Sequence, residues 1–206
     1  MNQISSDHQP SSPMSREHRE RLNGHRSAVL WLTGFSGAGK TTLAKAVEQH
    51  LIAKGVRAMV MDGDQLRTGL CTDLGFSAEE RSENIRRVGE VSKLFCNAGI
   101  VVIAALISPM RKDRQRVRAL FAEGDFFEIF CNSSLQSCEK RDVKGLYRRA
   151  RVGEIPEFTG ISSPYEVPER PDLTLYTDKD SVDECVQKLL EFIEDKIAFD
   201  SSSASL

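Results

Sequence analysis

The sequence predicts an α/β protein, a P-loop NTPase-like three-layer sandwich in which a parallel five-stranded sheet is covered by helices and joined by a lid segment. Three observations carry the prediction. Short β-rich apolar runs alternate with longer amphipathic stretches through the middle of the 206 residues, the pattern left by parallel strands and their crossover helices. Runs such as Ile100-Val101-Val102-Ile103 stay apolar without alternation, as suits strands buried on both faces. The first apolar run leads straight into GFSGAGKT, residues 34–41, a glycine-rich loop of phosphate-binding pattern.

Taken in order, residues 1–14 are rich in Ser, Pro, Gln and His; they cannot offset their own ordering entropy, so a disordered lead is expected there. The Ser-rich residues 200–206 read the same way, and one domain is expected over 15–199. Its first strand spans 28–33. A helix over 39–54 follows, because Leu43, Ala44, Val47 and Leu51 recur at helical spacing and Gly55 supplies a stop. Further strands are expected over 57–61, 100–106, 126–131 and 173–176, with helices over 78–98, 111–122, 135–140 and 181–197. Residues 142–171 differ: four of the seven prolines and three glycines fall there amid many charges, which predicts a mobile lid or a long active-site loop.

Composition narrows the function classes. With 40% hydrophobic and 28% charged residues, the chain suits one domain and one active site. A net charge of -2 gives no global attraction to nucleic acid or to an anionic membrane surface, so neither is expected as a partner and an anionic substrate must be met locally. The longest apolar run, 100–107, is too short to span a bilayer. Residues 1–26 lack the apolar core of a signal peptide, and Asp7, Glu17 and Glu20 argue against a transit peptide. Five cysteines without CxxC pairing or a Cys/His ligand rhythm read as the reduced thiols of a cytoplasmic protein.

In the glycine-rich loop, Gly34, Phe35, Ser36, Gly37, Ala38 and Gly39 turn successive backbone N–H groups around the phosphates of ATP, and the next helix aims its positive end at the same anions. Lys40 reaches the β and γ phosphates, Thr41 offers its hydroxyl to Mg²⁺, and Thr42 begins the helix. Asp62 and Asp64 stand at the carboxyl end of the second strand, which borders the ligand crevice of an open parallel sheet. A nucleophilic hydroxyl needs a base and Mg²⁺ needs oxygen ligands, tasks these two can divide; a surface Asp-Gly turn is the plainer alternative. Arg67, Arg81, Arg86 and Arg87 follow, with Asn84 among them. Forked guanidinium groups suit phosphate or sulfate, although singly each is also what a solvated helix carries. Phe76 and Phe158, taken alone, read as core residues.

As a set, GFSGAGKT, DGDQLRTGL, DLGFSAEERSENIRRVGEV, ISPMRKDR and KGLYRRARVGEIPEFTGI closely resemble the adenylylsulfate kinase family over about residues 15–197. Five blocks in one order are more specific than a P-loop alone, which leaves shikimate, gluconate and nucleoside kinases open. The resemblance implies that ATP and adenylyl sulfate give ADP and 3'-phosphoadenylyl sulfate, in sulfate activation. It implies that Asp62 takes the proton of the ribose 3'-hydroxyl while Asp64, with Thr41, orders Mg²⁺ and its waters. Arg67, Arg81 and Asn84 would grip the phosphosulfate and ribose, Phe76 and Phe158 would sandwich the adenine, and Ile107 and Leu146 would complete the acceptor pocket. Lys144 would reach substrate or the transferring phosphate as the lid closes, and Arg141 would lie against the ATP adenine. Ser108 is described in the family as a phosphorylated intermediate, whereas Asp62 already supplies a base for direct in-line transfer. Cys71 and Val143 depart from the family's usual asparagine and proline, and neither removes a charged group. A homodimer is implied, supplied with adenylyl sulfate by a separate sulfate adenylyltransferase chain. A kinase for another small alcohol would explain the phosphate site but not the arginine and aromatic pattern; a nucleotide-dependent binding switch would have no need of Asp62 as a base.

Overall fold

A computed structural model describes residues 14–199, so the expectations for residues 1–13 and 200–206 lie outside the described residues. Five strands, β1 (Val29–Thr33), β2 (Ala58–Asp62), β3 (Val101–Ala105), β4 (Phe126–Asn132) and β5 (Leu173–Tyr176), pair in parallel in the order β2-β3-β1-β4-β5. Around them lie α1 (Arg16–Asn23), α2 (Lys40–Ala53), α3 (Gly63–Leu66), α4 (Ala78–Asn97), α5 (Arg111–Arg118), α6 (Leu135–Arg141), α7 (Leu146–Arg151) and α8 (Val182–Ile197). The predicted α/β sandwich is the fold observed.

Every residue of β1 and β3 is buried. Successive side chains of a strand face opposite ways, so an unbroken apolar run serves two cores at once. Leu30, Leu32 and Ile103 join Leu43, Val47, Leu189 and Ile193 of α2 and α8 on one face. Val29, Trp31 and Val102 join Ile85, Val88 and Val117 of α4 and α5 on the other. β2, at the sheet edge, lacks this continuity: Met59 is exposed, and the Val60 N–H is taken by Glu48 Oε1 at 2.6 Å. No helix among the described residues is long and apolar enough to cross a membrane.

Several boundaries differ from expectation for local reasons. α5 stops at Arg118, not Ala122, because the chain tightens into i→i+3 bonds, Leu120 N–H to Val117 O at 3.0 Å and Phe121 N–H to Arg118 O at 3.1 Å. β2 runs to Asp62, whose side chain caps the single turn α3 where an Asp-Gly turn was the plainer reading. Within 142–171 the chain forms α7.

Helix α1 carries no apolar stripe, and its one buried residue is Glu20. It is held instead by charge. Arg16 forks onto Asp125, with Nη2 2.8 Å from Oδ1, and donates to Ser27 O at 2.9 Å and Glu20 Oε1 at 2.8 Å. Glu20 in turn accepts the Ser27 N–H at 2.7 Å. Ser27 leads into β1 and Asp125 into β4, so α1 ties the amino ends of two central strands. Removing one partner of a buried ion pair leaves an uncompensated charge. Arg16→Met should therefore lower stability by about 3 kcal/mol, read as a lower urea midpoint, with turnover unchanged because the network lies at the end of the sheet away from the phosphate loop.

Candidate active site

The phosphate loop leaves β1 at the centre of the sheet, where a crevice opens between the carboxyl ends of β3 and β4. Glycine is required at its start: Gly34 has φ +148°, and a Cβ there would lie 2.6 Å from the Cys131 carbonyl oxygen of β4. At its end Gly39, left-handed at φ 86°, caps α2. Lys40 is only 8% exposed, and its Nζ donates to Gly34 O at 3.0 Å and Phe35 O at 2.6 Å. Burial pushes this ammonium below its ordinary value, against the opposing pull of Cys131, Cys138, Asp64 and Asp62. A phosphate arriving here would supply the anionic partner that carbonyls only imitate.

Asp62 is fixed from both sides. Its Oδ2 accepts the Thr41 hydroxyl at 2.6 Å, and its Oδ1 accepts the N–H groups of Asp64 at 3.0 Å and Gln65 at 3.3 Å. The carboxylate thus sits where the phosphate loop meets the acidic turn. Asp64, largely exposed, pairs with Lys144. A hydroxyl and two carboxylates are gathered here, oxygen donors of the kind Mg²⁺ takes alongside phosphate oxygens and water.

A cleft of about 630 Å³ extends from this point, lined on one wall by Arg67, Phe76, Arg81 and Asn84. The Phe76 ring is 55% exposed, with the Arg67 guanidinium 4.3 Å and the Arg81 guanidinium 5.5 Å from its centroid. Arg81 also donates to Phe76 O and Glu157 O, each at 2.7 Å, and to Thr159 Oγ1 at 3.2 Å. Burial pushes both guanidinium groups below their ordinary value, and Arg67 adds repulsion at Arg81. Beside them Asn84 is buried, and its Nδ2 has no hydrogen-bond partner among the described residues. An unsatisfied buried donor on a cleft wall is a group awaiting a ligand oxygen.

The adenylylsulphate kinase family model matches residues 26–176. This chain belongs to the adenylylsulfate kinase family. An adenylyl-sulfate kinase of Acaryochloris marina is 56% identical over 193 residues, 94% of each chain; one of Thermodesulfovibrio yellowstonii is 54% identical over 184 residues, 89% of this chain and 92% of that one. Among solved structures, the Mycobacterium tuberculosis APS kinase in complex with AMPPNP and APS superimposes with a TM-score of 0.79 at 47% identity, covering 82% of this chain and 98% of that one.

In this member of the family the cleft brings together Ser36, Gly37, Gly39, Lys40, Thr41, Thr42, Asp62, Asp64, Arg67, Phe76, Arg81, Asn84, Ile107, Ser108, Arg141, Lys144 and Leu146. Gly34, Phe35 and Ala38 of the loop do not line the cleft. Phe158 is not on a cleft wall: it is 7% exposed and meets Tyr147 edge-on, centroids 5.0 Å apart. Arg86 and Arg87 are occupied elsewhere, on Glu83 and Asp73. Ser108 is buried at φ +39°, its Oγ accepting the Trp31 indole N–H at 3.0 Å and its carbonyl held by Arg114 at 2.7 Å. Arg141 bridges Gly37 O at 3.1 Å and Thr177 O.

The cleft is also lined by residues that the sequence reading missed: Thr177, Asp180, Ser181, Val182 and Cys185. Thr177 directly follows β5, so the carboxyl-edge rule that singled out Asp62 applied equally there. Tyr147, whose hydroxyl donates to Ser36 O at 2.8 Å, left no such signal. Because the Gly34 Cβ position is filled by a backbone oxygen, Gly34→Ala should shift the loop and weaken ATP binding about ten- to hundredfold. Gly69→Ala, with open space around its Cβ position, should bind ATP as the parent does; calorimetric titration of both variants checks the contrast.

Proposed function

We propose that this chain transfers the γ-phosphoryl group of ATP to the ribose 3'-hydroxyl of adenylyl sulfate, with Asp62 as the base that takes the hydroxyl proton. The placement of Asp62 carries the assignment: one carboxylate oxygen faces Thr41 at the phosphate loop and the other is held by α3 at the foot of the acceptor wall. The acceptor oxygen attacks the γ-phosphorus, its proton passes to Asp62, the bond to the β,γ-bridging oxygen breaks, and ADP leaves. Lys40 steadies the transferring group. Mg²⁺, held by Thr41 and the Asp64 side, would neutralise the charge of the phosphates.

Recognition of adenylyl sulfate is supported by the acceptor wall. Arg67 and Arg81 offer the positive charge that a phosphosulfate needs, the free Asn84 Nδ2 offers a donor, and Phe76 offers an exposed aromatic face. Ile107 and Leu146 contribute apolar surface. Phe158 serves as the second face only after its ring turns away from Tyr147, which assigns residues 142–171 the part of a lid that rearranges as the acceptor binds. Lys144 would exchange Asp64 for substrate in the same movement, and Arg141 would face the ATP adenine. The buried Ser108 hydroxyl, engaged by Trp31, favours direct transfer over a phosphoserine intermediate. The M. tuberculosis relative, solved with AMPPNP and APS, supports both substrates. Family resemblance supports a homodimer supplied by a separate sulfate adenylyltransferase chain, and five unpaired, buried cysteines support a reducing, cytoplasmic setting.

A coupled assay should record ADP release with adenylyl sulfate; release with another small alcohol, and none with adenylyl sulfate, would sink the assignment. Asp62→Asn should lower turnover about 10³-fold while ATP binding persists, and retained turnover would refute the base. Phe158→Ala should weaken adenylyl sulfate binding more than ATP binding. Equal losses would make Phe158 a general lid residue.

A further inference from the structure

Tyr147 joins the phosphate loop to Phe158 without belonging to the transfer machinery. It lies on α7 and is 1% exposed. Its hydroxyl donates to the Ser36 carbonyl of the phosphate loop at 2.8 Å, and its ring meets Phe158 edge-on at 5.0 Å and 76°. Asp142 fixes the start of α7 by accepting the Tyr147 N–H at 2.9 Å and the Arg148 N–H at 3.1 Å. Burial pushes the phenol well above its ordinary value, so the hydroxyl keeps its proton and remains a donor.

The Ser36 carbonyl shares a peptide unit with the Gly37 N–H. In a planar trans peptide the C=O and N–H point in opposite directions. A donor that holds the Ser36 oxygen therefore fixes the opposite direction for the Gly37 N–H, and Gly37 lines the cleft. No cis peptide interrupts this geometry. The same side chain that aims this amide is also the surface on which Phe158 rests. Movement of Phe158 removes a packing partner from the ring whose hydroxyl orients the loop.

We propose that Tyr147 is a positioning residue that couples the two nucleotide sites, aiming the Gly37 N–H at the donor phosphates through Ser36 and registering the acceptor through Phe158. The coupling half rests on the reading above that Phe158 leaves Tyr147 to stack on the acceptor adenine. Tyr147→Phe removes the hydroxyl and keeps the ring. It tests the idea in a binding cycle on the full chain, in which a non-hydrolysable ATP analogue and adenylyl sulfate are each titrated alone and in the presence of the other.

In the variant, affinity for the analogue alone should fall about fivefold, the scale of one hydrogen bond. Affinity for adenylyl sulfate alone should hold, and the factor by which each ligand alters the other's affinity should shrink toward one. A merely structural role would weaken both ligands alike, lower the melting temperature and leave that factor at the parent value; this result, or a parent factor already equal to one, overturns the proposal. Phe158→Leu, which keeps apolar volume but removes the ring edge, provides a second route and should show the same loss of coupling. If Phe158→Ala weakens adenylyl sulfate binding while Tyr147→Phe keeps the parent factor, the acceptor reading stands and the coupling role fails. If Phe158→Ala leaves adenylyl sulfate binding intact, the acceptor reading fails and the coupling role falls with it.

Discussion

Where β1 ends, the chain turns so closely against the backbone of β4 and then of α6 that a side chain would clash at Gly34 and crowd its neighbour at Gly37. The Gly34 Cβ position is 2.6 Å from the Cys131 oxygen, and that of Gly37 is 3.1 Å from the Cys138 oxygen. This double contact sets the height of the phosphate loop above the sheet, and much else depends on it. It fixes the direction in which α2 leaves and buries Lys40 beneath the loop. It also puts Thr41 within hydrogen-bond distance of Asp62, so the donor and acceptor halves of the site meet at one carboxylate. The sheet itself guarantees the approach, because β4 runs parallel beside β1 in register from Val29 with Phe126 to Thr33 with Phe130.

Charge is distributed to match. Three of the cations that line the cleft, Lys40, Arg67 and Arg81, are depressed by burial, and they rest on backbone carbonyls rather than carboxylates. Arg86 and Arg87 are already neutralised by acidic side chains. An adenylylsulfate kinase must accommodate two polyanions together. Cations held on weak neutral acceptors can exchange these for phosphate or sulfate oxygens at smaller cost than a cation that must first leave a carboxylate, as Lys144 must leave Asp64.

The parts of this arrangement legible in the sequence are those specified by consecutive residues. GFSGAGKT between a strand and a helix, and an Asp-Gly-Asp at a strand end, carry their geometry in the local backbone. The family resemblance separates Arg67, Phe76, Arg81 and Asn84 from Arg86 and Arg87, but the physical reason for that division lies in partners as distant as Glu157 and Asp73, which only the fold brings together. The packing of Phe158 on Tyr147 and the place of Asp180, Ser181, Val182 and Cys185 on the cleft come from tertiary assembly, whereas Thr177 lay open to the same strand-end rule as Asp62. Helix α1 escaped for the opposite reason: it is held by ion pairs rather than by an apolar face, so periodicity had nothing to register.

The Glu48 carboxylate at the rim of β2 has a bearing on the chain's life before it is an enzyme. An unpaired strand border is a template on which a second, incompletely folded molecule can zip. With the Val60 amide already engaged by a side chain of α2, that template is spoiled as soon as α2 docks, and α2 follows β1 directly in the order of synthesis. Protection of the outer side of β2 against intermolecular pairing is thus supplied by the helix that precedes it in the chain.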